Sequence, residues 1–566
     1  MSRPPRAILS LAGLEDAVRN RLKRLQEEKF LERIWNRDPS LWKSDPSHAS
    51  VIRNRLGWLP VADAMPDHLA RMDSLGDALR RDGFRDVVVL GMGGSSLCPE
   101  VLRLTFGPRP GWPRLRVLDS TDPGAVREMQ ESLDPGKSFF IVSSKSGTTT
   151  ETDCFRRFFD GFLRSRGIAR PGRHFAAITD PGTPLERMGR AESYREVFVN
   201  PPDIGGRFSA LSFFGLVPAA LAGLDVAGLL DGARAVLRES SATSSEGDSP
   251  GLVLGAVLGE AVLAGRDKMT LIASPELGSF GIWAEQLVAE SIGKEGKGLV
   301  PVAGEPQGKP GSYGADRIFV TIEAGKDGGG VDEALRALGE AGHPVIRIPL
   351  AGLADLAGEF LRWEIATAVA GSILGVNPFD EPNVQESKDN TRALLEEFAK
   401  TGAFQEERPL GRDGLLCLTG DGAPGSPREI LHSFLDQIRP GDYFALLAYL
   451  PPADSTDLLL GRIRLAVRNR FRVATTSGYG PRYLHSTGQL HKGGPGSGVF
   501  LQIVADEAGP EVPIPGRPFG FSTLEQAQAL GDFRSLRRRG RRALRVRLRE
   551  AGAGIEALAR LVEETA

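Results

Sequence analysis

The sequence predicts an α/β protein with two doubly wound parallel-sheet domains, a helical N-terminal cap and an additional C-terminal α/β unit. Three observations predict it. Short apolar runs, closed by glycine or by a polar residue, recur along the chain as buried parallel strands do. Helix-like segments separate them, and that alternation is the pattern of doubly wound sheets. The chain has 566 residues, and at ~150 residues per domain three or four units are expected.

Residues 1–75 form the cap: a helix rich in Arg, Lys and Glu over 11–35, then a loop-like segment with Trp42 and Trp58, packed on the next domain. The first domain, 76–240, has strands at 86–91, 115–119, 139–143 and 175–180. Its stretch 208–230 is apolar enough to resemble a membrane span, but Pro218, Asp225 and several glycines interrupt it, so it reads as a buried helix pair. Residues 240–250, rich in Ser, Thr, Gly and Asp, read as a linker. The second domain, 241–400, has strands at 269–273, 317–322 and 345–348. The C-terminal unit, 401–566, has strands at 415–418, 443–447 and 499–504. Residues 534–549 are dense in arginine and read as a solvated helix and edge strand. The functional alternative there is an anion or nucleic-acid patch, which no interleaved aromatics support.

Composition excludes several classes. Lys plus Arg number 70 and Asp plus Glu 72, for a net charge of -2, which argues against a protein built to coat nucleic acid. Charged residues at 25% and hydrophobic residues at 41% argue against wholesale disorder and against a coiled coil. Three cysteines, Cys98, Cys154 and Cys417, are too scattered for a disulfide framework or zinc cluster, and fit a reducing cytoplasm. The seven histidines show no metal spacing. The opening residues lead into a charged helical stretch without a secretory apolar core. The expectation is a cytoplasmic protein without metal, nucleic-acid or membrane partner.

Four motifs carry chemistry. The first turn, Gly91-Met92-Gly93-Gly94-Ser95-Ser96, follows a strand and opens a helix, so its glycines and free helix N–H groups suit a phosphate. A dinucleotide fingerprint needs glycine where Ser96 stands, so that reading fails. The second turn runs from Ser143 through Ser144, Lys145, Ser146, Gly147, Thr148 and Thr149 to Thr152. Helix capping explains one of its hydroxyls; the cluster with a lysine suits a sugar phosphate or similar monoester. The order of residues is not that of a P-loop. In Gly205-Gly206-Arg207-Phe208-Ser209 an arginine follows a glycine pair, placed to stabilise developing negative charge. Gln286 and Glu290 lie four apart on one helical face, which could offer an amide and a carboxylate to one ligand. Taken alone, that stretch reads as an exposed amphipathic helix.

GMGGSSL, SSKSGTTTET, GGRFS and QLVAESIGKEGKG, in this order, resemble glucose-6-phosphate isomerase, a family of two sugar-isomerase domains. Residues 377–388 look like the family's second signature, departing at Glu381, Asn383 and Gln385 and retaining Lys388. The resemblance covers roughly residues 50–395. Residues 479–494 and the N-terminal region look like the isomerase half of transaldolase/glucose-6-phosphate isomerase fusions. Too few residues precede Asp86 for a transaldolase barrel, so the chain reads as a free-standing isomerase of that branch.

The resemblance implies roles. Glu290 is the base of an aldose–ketose proton transfer through a cis-enediol, without metal or organic cofactor. Arg207 stabilises the enediolate, Gln286 orients a hydroxyl, and Lys388 contacts the ring or chain oxygen during opening. Phosphate binding maps to Ser95, Ser144, Ser146, Thr148 and Thr149, helped by backbone N–H groups at Gly94 and Lys145. Ring opening asks for a histidine. His485 matches the catalytic position and His491 the second histidine, with the reverse assignment open; both follow Lys388, whereas the family's histidine precedes its lysine. Family members are commonly dimers in which a histidine crosses between subunits. A homodimer is thus possible here, or the C-terminal unit supplies the histidine within the chain.

Overall fold

The computed structural model describes residues 6–245, 247–325, 329–405, 407–506 and 511–566. The chain opens with β1 (Ile8–Ser10) and two helices, Glu15–Glu27 and Phe30–Trp35. These replace the single helix expected over 11–35. Lys29, at φ 53°, is left-handed and breaks the run. The cap does more than cover the next domain. β1 pairs antiparallel with a strand of the second sheet, and Arg21 reaches Glu260 of helix Pro250–Leu263 at 2.5 Å.

The first sheet holds β2 (Asp86–Leu90), β3 (Arg114–Leu118), β4 (Ser138–Ser143), β5 (Phe175–Thr179) and β6 (Glu196–Val199), all parallel, in the order 3-2-4-5-6. Alternate residues of β2 serve opposite cores. Val87 and Val89 pack with Leu97 and Val101 of helix Leu97–Phe106, while Val88 and Leu90 pack with Phe155 and Phe159 of helix Thr150–Ser165. The helices that follow the neighbouring strands β2 and β4 therefore leave on opposite faces. In open α/β sheets, ligands bind at the carboxyl ends of the strands at such a switch point.

The second sheet holds β7 (Lys268–Ala273), β8 (Val300–Val302), β9 (Arg317–Ala324) and β10 (Val345–Leu350), parallel, with β1 at one edge in the order 1-10-9-7-8. The third holds β11 (Gly411–Arg412), β12 (Leu416–Gly420), β13 (Tyr443–Tyr449), β14 (Ala474–Tyr479), β15 (Gly498–Ala505) and β16 (Arg542–Leu548), in the order 11-12-16-15-13-14. β13 to β16 run parallel, and β12 pairs antiparallel with β16.

Two expectations need correction. The arginine-dense stretch is neither wholly solvated nor an edge. β16 lies between β12 and β15, with Leu544, Val546 and Leu548 in the core. The arginines alternate with those apolar residues, which is the period-2 pattern of a strand with one apolar face. Helix Phe521–Arg538 is largely buried as well. Helix Phe280–Ile292, which alone read as exposed, has both Gln286 and Glu290 buried. Among the described residues no helix is long and apolar enough to cross a membrane. The 208–230 stretch instead supplies the buried helix Phe213–Leu221 and the start of Val226–Glu239.

Candidate active site

β4 delivers the hydroxyl turn at the switch point. Thr149 precedes helix Thr150–Ser165 in an extended conformation, and its side chain makes no capping hydrogen bond. Its Oγ1 lies 2.9 Å from Ser144 Oγ, and Ser146 Oγ lies 2.9 Å from Thr148 Oγ1. Thr149 is thus free of the capping duty that was the simplest explanation, while Ser146 Oγ accepts from the Thr148 backbone N–H at 3.3 Å. Ser146, Thr148, Thr149, Glu151, Lys388 and His485 line one cavity of about 640 Å³. Ser144 reaches it through Thr149. The Lys145 side chain turns away, its Nζ bound by Asp180 and by the Pro202 carbonyl.

Three units meet at this cavity. Helix Pro382–Thr401 brings Lys388, the first sheet brings the hydroxyl turn, and the short helical turn Arg482–His485 brings the histidine. His485 Nε2 lies 2.9 Å from Glu151 Oε1. The same oxygen accepts from Gln528 Nε2 at 2.6 Å, and Gln528 Oε1 accepts from Thr121 Oγ1 at 2.8 Å. Burial alone would raise the Glu151 carboxyl, but the charge and hydrogen bond of His485, with the charge of Lys388, hold it below its ordinary value. An ionised Glu151 makes Nε2 the donor and leaves Nδ1 for a ligand. Arg482 anchors this turn through a bidentate pair to Asp119 at 2.8 and 2.7 Å.

A second, drier cluster adjoins. Gln286 Nε2 donates to Glu290 Oε2 at 3.0 Å and to the His485 carbonyl at 2.7 Å, which ties the carboxylate to the histidine turn. Arg207, 3% exposed, donates to Ser291 Oγ (2.8 Å), Glu290 Oε1 (3.0 Å), Glu381 Oε2 (3.1 Å) and the Pro378 and Asp380 carbonyls (2.7 and 2.9 Å). Burial raises the Glu290 carboxyl above its ordinary value; Arg207 opposes that rise and Glu381 adds to it. Nearby Lys294 is pushed down to about 8, by burial first and by Arg207, with Asp380 opposing. A raised carboxyl beside a fixed guanidinium can take a proton from carbon and stabilise the oxyanion that forms.

The first turn closes on the Arg207 turn. Gly94 sits where a Cβ would come within 2.0 Å of the Gly206 carbonyl, so only glycine lets the Arg207 turn close on it. The Ser95 carbonyl accepts from Ser143 Oγ at 3.0 Å, and neither Gly94 nor Ser95 lines the cavity. His491 is also outside it. Its ring is buried among Tyr443, Tyr483 and Phe500, at centroid distances of 6.2, 6.0 and 5.1 Å. Burial, Lys492 and Arg541 push its pKa far down, so it stays neutral. Sequence reasoning missed Glu151, Gln528, Glu381 and the Asp119–Arg482 pair. Glu151 stood inside a quoted motif, and Glu381 was visible as a departure; Gln528 had no local signal. Among the described residues, no group of three or more His, Cys, Asp or Glu side chains could hold a metal.

A hydroxyl-lined cavity at a switch point, beside a buried acid and its arginine, defines a phosphosugar-binding α/β protein. The phosphoglucose isomerase family model matches residues 61–302. The glucose-6-phosphate isomerase of Rubrobacter xylanophilus is 32% identical over 385 residues, 58% of this chain and 87% of that protein. That of Staphylococcus saprophyticus is 31% identical over 391 residues, 60% of this chain and 86% of that protein. A hypothetical protein of Thermus thermophilus superposes with TM-score 0.59 at 26% identity, covering 69% of this chain and 99% of that one. A glucose-6-phosphate isomerase of Chlamydia trachomatis shares the fold, with TM-score 0.52 at 21% identity over 66% of this chain and 78% of that one. The chain belongs to the glucose-6-phosphate isomerase family.

Proposed function

We propose that this chain interconverts glucose 6-phosphate and fructose 6-phosphate through a cis-enediol, as an aldose–ketose isomerase. The observation that carries the reading is the buried Glu290, its pKa raised, held between Gln286 and Arg207 next to the His485 turn. The phosphate sits among the hydroxyls of Ser144, Ser146, Thr148 and Thr149, and its remote binding energy holds the sugar for chemistry. His485, oriented by Glu151, moves a proton between the ring oxygen and the anomeric hydroxyl (on C1 of glucose 6-phosphate, on C2 of fructose 6-phosphate), and Lys388 assists at the oxygen. Glu290 then carries the proton between C2 and C1, and Arg207 meets the charge on the enediolate. Gln286 orients both the base and the histidine turn. His485 comes from the same chain, so each chain carries a whole site. The three free thiols, Cys98, Cys154 and Cys417, fit work in a reducing cytoplasm.

The test is a coupled assay with fructose 6-phosphate. Wild type turns over, and folded Glu290→Gln falls at least ~100-fold while still binding a non-reactive phosphosugar. Near-normal turnover in Glu290→Gln would remove Glu290 as the base.

A further inference from the structure

The third sheet repeats the arrangement that creates the site in the first. β13 and β15 are neighbours. Helix Asp454–Phe471, which follows β13, packs Ile463 and Val467 with Val499 and Leu501 on one face. Helix Phe521–Arg538, which follows β15, packs Phe533 with Phe500 on the other. The carboxyl ends of β13 and β15 therefore form a second switch point. A cavity of about 530 Å³ opens there, bordered by Tyr449, the last residue of β13, and by Val504 and Ala505, the last of β15. That volume is within the range of small-molecule sites. It is separate from the cavity that holds His485, and the isomerase reading gives it no task.

Its walls are apolar and polar in about equal measure: Phe398, Phe404, Leu530 and Phe533 form an apolar, largely aromatic side, and Glu407, Asp506 and Glu525 stand on the polar side, Glu407 paired with Arg537 and Asp506 with Arg547. One charge points to a ligand. Arg545 and Arg547 lie two apart on β16 and so face the same side. Arg547 meets Asp506 at 3.7 Å, whereas Arg545 makes no hydrogen bond and no ion pair among the described residues. Burial and then Arg547 push the Arg545 pKa down to about 10. Arg545 is half-buried, and a guanidinium at a cavity wall without an ion-pair partner can take an anion. Thr419 adds a hydroxyl to the wall. Tyr449 on the rim has its hydroxyl 3.3 Å from that of Tyr483, two residues before His485.

We propose that this cavity binds a small organic anion, a phosphate ester or carboxylate on an apolar or ring body, with the anionic group on Arg545 and the body against Phe404 and Phe533. The proposal is independent of the isomerase reading. Calorimetric titration of the full chain with phenyl phosphate and with benzoate tests it and separates the two anion classes. At least one probe should bind wild type and bind Arg545→Gln about tenfold or more weakly, with turnover of fructose 6-phosphate unchanged. Should Arg545→Gln not fold, Arg545→Lys keeps the charge but loses the two-pronged geometry and should bind more weakly than wild type. Equal affinity in the folded variant, or no binding of either probe to wild type at millimolar concentration, would overturn it.

Discussion

The hydroxyl turn over 143–152 and the histidine turn over 482–485 border the same cavity, yet they are built in opposite ways. The first is local. Ser144, Ser146, Thr148 and Thr149 lie within six residues and hydrogen-bond one another across a single strand-to-helix turn. The second is borrowed. His485 is held by Glu151 and its backbone by Gln286, while Arg482 is pinned by Asp119, all from sequence positions far away. A local motif therefore carries its function in its own spelling, and a borrowed one acquires it only by docking.

That contrast can be broken by mutation. His485→Ala should slow cyclic fructose 6-phosphate by ~100-fold or more, the usual worth of a positioned acid–base group, and an open-chain substrate far less. Equal slowing of both would deny the histidine its ring-opening role, and a larger effect from His491→Ala would reverse the two. For the local turn, Ser144→Ala combined with Thr149→Ala should weaken binding of a non-reactive phosphosugar by ~1–3 kcal/mol per lost charge-assisted hydrogen bond, measured by calorimetry. Unchanged affinity would make the turn a structural feature only. The smallest effect should come from Glu381→Gln. Glu290 must be ionised to accept a proton, so kcat/KM rises with pH through its raised pKa. Glu381 contributes to that rise, so its neutralisation lowers the Glu290 pKa and moves the acid limb to lower pH. An acid limb that stays put or moves upward would contradict the electrostatic account.

The two-sheet core was legible because strands such as 86–91 and 139–143 are continuous apolar runs ending in glycine or serine. β8 was not, being three residues with Pro301 in the middle, and β14 was not, because Thr475, Thr476 and Ser477 hide it among polar residues. The third sheet's interior strand β16 was misread because arginine content masked its alternation with Leu544 and Val546. In the proposed site, Glu290, Arg207 and Lys388 were singled out from contiguous motifs, and His485 from its loop and the family likeness; the structure brings Arg207 and Glu290 into one cluster and Lys388 and His485 to one cavity. Glu151 and Gln528 act across 334 and 377 residues of chain, a distance over which spacing carries no information. His491 shared a loop with His485 but not its environment, because one turn of backbone sends it into the aromatic core.

The central claim is that one chain contains the whole site, with Glu290 and His485 acting together. Mixing separately inactive Glu290→Gln and His485→Ala chains, unfolded and refolded together, tests it directly. A site completed within each chain leaves the mixture at the residual activity of its components. Recovery toward roughly a quarter of wild-type activity, as random pairing in a C2 dimer would give if each chain lent its histidine to the other, would contradict the account.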